Sequence, residues 1–178
     1  MKGLVLHLLC GLFFMLLQTT IFPRLLPSEI RPNLLLILVI YLGLSESSLR
    51  AAFLTLLLGA LQDVFSGATF GLYATVQMCI FLLVRLFSER LNVESRLLLL
   101  GLIGSGTILQ AVLLGFFLTS FAEAGSVLAV LLANLPLQLL FNLLAGWVLL
   151  VFLLKLQPLL GTRRGMAGLS YQSKHHGA

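Results

Sequence analysis

Asp63 is the residue best placed to do chemistry. It interrupts an apolar stretch at Gly59-Ala60-Leu61-Gln62-Asp63-Val64-Phe65-Ser66-Gly67 and is the sole acid between Glu46 and Glu89. A carboxylate there could relay a proton, bind a cation or anchor a turn. Deep in hydrocarbon it would cost about 2.5 to 3.5 kcal/mol, so it needs donors, a cation or a place near the membrane boundary. The amides Asn134, Gln138 and Asn142 form the second polar set, recurring every four residues on one helix face. Such a stripe suits interhelical hydrogen bonding or the wall of a polar pocket, and packing against another helix is the favoured reading.

Other reactive groups form no set. Cys10 and Cys79 lie in separate apolar segments without CxxC spacing, as packing thiols do. His7 falls about one turn from the start of the first apolar segment, where an interfacial or hydrogen-bonded role is expected. His175 and His176 have no third ligand nearby. Gly101-Leu102-Ile103-Gly104-Ser105-Gly106 lacks both the GxGxxG order and a following GK[ST], so close helix packing explains it better than phosphate binding. With no nucleophile, base or metal set, the sequence does not read as an enzyme, and no cofactor is expected.

The elements that carry these residues are membrane helices. The chain of 178 residues is 60% hydrophobic and only 10% charged, with mean hydropathy +1.10, more apolar surface than a soluble domain of this size buries. Its long continuous runs exclude the alternating pattern of a β-barrel. Uncharged stretches from Gly3 to Pro23, Val64 to Val84, Leu97 to Ala122 and Ala124 to Leu154 each reach the roughly 20 residues that span a bilayer. Asn33 to Ser45 and Ala51 to Gln62 are shorter, about 18 to 20 Å as helices.

The expectation is therefore an all-α, polytopic bundle of about six transmembrane helices near 3–22, 32–45, 49–65, 70–88, 97–121 and 126–155. The second and third either span or form a re-entrant hairpin, which leaves four crossings. Residues 1–160 read as one transmembrane domain and 161–178 as a basic cytoplasmic tail of low order. Pro136 should kink or break the last helix.

Charge orients the bundle. With six crossings and both termini cytoplasmic, Lys2, Arg50, Arg85, Arg90, Arg96, Lys155, Arg163, Arg164 and Lys174 lie inside, and Arg24 and Arg31 outside. Four crossings give the same sides for the ends. The net charge of +5 is then a signal of topology and of a lipid surface, with no need for nucleic acid. Lys2 and the apolar run after it lack a small-x-small cleavage pattern, so this segment is expected to remain as an anchor. Glu29, Glu46, Glu89, Glu94 and Glu123 all fall in expected connections. The run Arg85, Glu89, Arg90, Glu94, Arg96 reads as a helix end with i,i+4 pairing that could also dock a cytoplasmic partner.

Pro32-Asn33 with the aliphatic run to Tyr41-Leu42-Gly43-Leu44, then Gly59 to Gly67 with Asp63, then Phe70-Gly71-Leu72, resembles the bacterial rod shape-determining MreD family. The best-matched region is 32–96. Ser45-Glu46-Ser47-Ser48 departs from the pattern, since a glycine is expected in that turn. The resemblance implies a noncatalytic inner-membrane scaffold of the cell-elongation machinery, helical like the substrate-binding subunits of energy-coupling-factor vitamin transporters. It implies a bitopic MreC-like partner and assembly with MreB filaments and the RodA-type peptidoglycan synthase. The alternative is a small-solute or vitamin-binding subunit of a transporter.

The structural and interaction candidates are Pro32, Asn33, Gly43, Gly59, Asp63, Gly67, Gly71, Gly101, Gly104, Asn134, Gln138 and Asn142. Ser105 and the pair Ala111 and Gly115 complete a small-residue surface on the fifth helix. Asp63 is expected at the outer end of the third helix, partly desolvated, where it orders the turn into Gly67 and Gly71 by accepting backbone hydrogen bonds.

Overall fold

A computed structural model describes residues 2–25, 31–45, 47–67, 70–88, 96–121 and 127–160. Six helical rods account for them. The first, α1 (Lys2–Leu16), runs on through a π-helical turn (Leu17–Ile21) into a last α-helical turn (Phe22–Leu25). It is followed by α2 (Leu34–Ser45), α3 (Ser48–Ser66), α4 (Leu72–Ser88), α5 (Arg96–Phe121) and α6 (Val127–Leu160). The Glu46, Glu89, Glu94 and Glu123 positions, Glu29, and the tail with His175 and His176 lie outside the described residues.

Among the described residues, four helices are long and apolar enough to cross a membrane, with spans Val5–Leu25, Ser48–Ser66, Leu97–Ser120 and Ala129–Leu149. The two short apolar helices are α2 and α4, which corrects the expectation that the short pair is the second and third. Arg50 and Asp63 mislead here. Arg50 sits in the first turn of α3 and Asp63 in its last, so both belong to a helix of 19 residues rather than bounding a shorter one.

The short α2 is the centre of the bundle. It is apolar on every face, and all 12 of its residues are buried. It touches each of the other five helices, which close a ring around it in the order α1, α3, α4, α5, α6 and back to α1. The ring packs most densely at the α3–α4 and α5–α6 seams. It is thinnest at α1–α6, where the first and last helices meet.

Glycine permits a direct approach of two backbones. A Cβ on Gly59 would stand 2.6 Å from the Cα of Ala74, so the backbones of α3 and α4 touch there. On α5, Gly104 faces Leu139 and Leu143 of α6, while Gly106 accommodates Ile40 of the central helix.

Two local features depart from regular expectation. Pro23 lacks an N–H and crowds the carbonyl four residues before it, and the chain meets this with the π-helical turn Leu17–Ile21. Pro136, by contrast, does not break α6, which runs unbroken from Val127 to Leu160. One missing donor on a half-exposed helix leaves the neighbouring hydrogen bonds in place, and an apolar surrounding offers the backbone no other partner.

The Gly59 contact generates a test. Gly59→Ala should force α3 from α4 and destabilise the protein by about 1–3 kcal/mol, the usual cost of overpacking. Gly101→Ala, at a glycine with nothing within 4 Å, should change stability by less than about 0.5 kcal/mol. Thermal unfolding of both variants in detergent measures the difference.

Candidate functional site

Asp63 projects from the last turn of α3 and is 2% exposed, more deeply buried than a place at a helix end suggests. Its carboxylate meets the start of α4. Oδ1 accepts from the Tyr73 N–H at 2.7 Å, and Oδ2 accepts from Gly71 at 3.0 Å and Ala74 at 3.2 Å. These amides belong to the first turn of α4 and the residue before it, where intrahelical partners are lacking. Gly71 occupies the position from which a side chain would ordinarily cap the helix, and it has none to offer. Asp63 supplies the cap from another helix, with its negative charge at the positive end of the α4 dipole. Three charge-assisted hydrogen bonds offset the desolvation of the carboxylate.

The turn between α3 and α4 has the backbone this cap requires. Gly67 ends α3 at φ +65, and Gly71 has φ +94. Both values favour glycine, and a side chain would be strained at either position. Gly59 and Asp63 lie one turn apart on the same face of α3. The glycine admits the α4 backbone and the acid caps it. Gln62 accepts a hydrogen bond from the Nε2 of buried Gln77 along the same seam.

A second polar cluster closes the start of α2. The Asn33 side chain caps its own helix, with Oδ1 accepting from the Leu36 N–H at 3.1 Å. Its Nδ2 donates to Gln110 Oε1 of α5 at 3.1 Å, and its backbone N–H donates to Asn142 Oδ1 of α6 at 2.7 Å. Asn142, fully buried, donates in turn to Thr107 Oγ1 at 3.0 Å. From the π-helical turn of α1, Gln18 Nε2 reaches the Pro32 carbonyl at 3.0 Å and Asn33 Oδ1 at 3.2 Å. Four helices are joined, and α2 begins near the middle of both α5 and α6. At the other end of α2, Arg85 donates to the Gly43 carbonyl at 3.2 Å, a cation at the negative end of the helix.

The structure thus separates the amide stripe. Asn142 is in the network, whereas Asn134 and Gln138 are half-buried and have no hydrogen-bond partner among the described residues. The small-residue surface of α5 divides as well. Ala111 and Gly115 are buried and Gly104 faces α6, so only Gly101 and Ser105 remain exposed. His7 is 1% exposed, with its ring 6.2 Å from that of Tyr41. Cys10 and Cys79 are free thiols. Gln18, Gln77, Thr107 and Gln110 were not singled out from the sequence. The available signal was the presence of a hydrogen-bonding side chain within an apolar run.

Beside Ser105 the α4–α5 seam opens into a groove of about 380 Å³. Ile80, Val84 and Phe87 of α4 form one wall, and Ser105, Leu109 and Val112 of α5 form the other. Among the described residues no group of three His, Cys, Asp or Glu side chains could hold a metal ion.

Removing parts of the two caps should have graded effects. Asp63→Asn keeps one acceptor oxygen and turns an NH₂ toward donors, so a loss of about 1–2 kcal/mol is expected. Asp63→Leu leaves three amides unsatisfied and should cost about 3 kcal/mol or more. Equal losses in the thermal unfolding of the two variants would contradict the capping role. Asn142→Leu should cost about 1–3 kcal/mol, and pairing it with Thr107→Val should cost less than the sum of the two single losses, because the two side chains bond each other.

The family model for rod shape-determining protein MreD matches residues 2–160. No curated relative and no solved structure matches the chain, so the likeness to energy-coupling-factor subunits has no structural match behind it.

Proposed function

Because this chain belongs to the rod shape-determining MreD family, noncatalytic membrane proteins that act in cell shape, we propose that it is a scaffold of the cell-elongation machinery in the bacterial inner membrane. It binds the single membrane helix of an MreC-like bitopic protein and fixes where that partner's outer domain stands. Through this partner it joins MreB filaments and the RodA-type peptidoglycan synthase. Both termini lie in the cytoplasm, on the side that the basic residues favour.

The α4–α5 groove is the observation that carries this reading. Its walls are apolar, its volume is about 380 Å³, and the small side chain of Ser105 on its α5 wall leaves room for close approach by another helix. Among lipid tails, helix association rests on such packing rather than on hydrophobic burial. The bundle is suited to present the groove rigidly, because α2 is enclosed by five helices and held at both ends by hydrogen bonds.

A small-solute subunit is the other reading. Its polar site would be drawn from Asn33, Gln110 and Asn142, and these side chains are already engaged: Asn33 with Gln110, and Asn142 with the Asn33 backbone N–H and with Thr107. Saturable, tight binding of a vitamin to the purified protein would overturn the scaffold reading.

Filling the groove tests it directly. Ser105→Phe should lower copurification of the MreC-like partner about tenfold or more at matched membrane expression, with thermal stability unchanged. Leu56→Phe, at an exposed position of α3, should leave copurification intact. Undiminished partner recovery with Ser105→Phe would exclude the groove as the binding surface.

A further inference from the structure

Among the four long apolar helices, α6 is the least covered. Only 11% of its span Ala129–Leu149 is buried inside the chain, against 22% to 39% for the others. This span holds Asn134 and Gln138, the two amides that have no partner among the described residues. Gln138 lies nine residues into the span of 21, close to its midpoint. Hydrocarbon provides neither donor nor acceptor, so carboxamides at that depth require hydrogen-bonding groups from protein.

Their direction is fixed by their neighbours. Leu139 and Leu143 face Gly104 of α5, and Asn142 faces the central network. At about 100° per residue, Gln138 lies roughly 40° and Asn134 roughly 80° from Asn142, turning away from Leu139 and Leu143. That flank of α6 adjoins the thin α1–α6 seam and continues into exposed Val130, Leu137 and Val148. It is an apolar face with two amides on its inner edge.

We propose that this flank of α6 is a self-association surface, and that its occupant is a second copy of the same chain. Chemical complementarity selects that occupant. A carboxamide carries both a donor NH₂ and an acceptor carbonyl, so it can satisfy its own symmetry mate without any charge. Copies in one membrane orientation share a two-fold axis along the membrane normal, so identical residues stand at the same height, and Asn134 and Gln138 of one copy meet Asn134 and Gln138 of the other. Lipid tails cannot do this. The surface lies on a different seam from the α4–α5 groove, so a dimer presents two open grooves and brings two partner helices into one assembly.

The test uses the full chain with Cys10→Ala and Cys79→Ala, alone in dilute phosphatidylethanolamine and phosphatidylglycerol liposomes. Because no partner is present, its outcome is independent of the scaffold reading. Leu137→Cys should form a disulfide-linked dimer on mild oxidation, and Leu56→Cys on the far side of the ring should not. Asn134→Leu with Gln138→Leu should lower the dimer fraction measured by single-molecule photobleaching at least tenfold without loss of thermal stability, and Gln138→Asn should retain most of it. A monomer at every protein density, equal crosslinking from both cysteines, or a dimer that survives the double leucine variant would each overturn the proposal. So would crosslinking of Leu137→Cys in native membranes to a different membrane protein in place of a second copy.

Discussion

Helix ends enclosed by the bundle are the constraint on which the rest of this structure depends. A helix leaves several amides free at its start and several carbonyls free at its end, and those groups need partners wherever water is excluded. The central helix begins against the middles of α5 and α6 and ends beside α4. Its start is served by Asn33 and Asn142 and its end by Arg85. The start of α4 is served by Asp63. Side chains that resemble the beginnings of an active site are engaged in holding helix termini.

Capping from neighbouring helices also lets short helices persist in a membrane protein. At 12 residues α2 is about 18 Å long, well below a hydrocarbon core of about 30 Å. It need not span, because five other helices surround it and supply both the apolar cover and the polar contacts at its ends. The π-helical turn of α1 belongs to the same solution, since Gln18 within it reaches Pro32 and Asn33. The spacing of Gly59 and Asp63 has a similar logic. Close approach of α4 is possible only where α3 has no side chain, and the capping carboxylate then stands one turn farther along the same face.

Much of the fold was legible in the sequence, because hydropathy reports directly on the cost of placing backbone and side chains in hydrocarbon. Six helices and the all-α class follow from residue types and runs alone, whereas the bonds of Asp63 to Gly71, Tyr73 and Ala74 are seen only in the structure. The identification of the short pair did not follow, because Arg50 and Asp63 look like boundaries in a hydropathy reading while both lie within α3. The fate of Pro136 was likewise not local. Its missing donor matters less than the absence of any other partner for the surrounding backbone.

What the sequence determined by itself was the solvent, the number of helices and the family, since these depend on composition and on order along the chain. Tertiary structure alone decided which polar groups meet. Asn134, Gln138 and Asn142 share a spacing, yet only Asn142 faces the start of α2, and Gly101 and Gly104 lie three residues apart, yet only Gly104 packs on α6. Periodicity places residues on a face of their own helix. The helix brought against that face, at which height and with which donor, is set by how six helices close around one another.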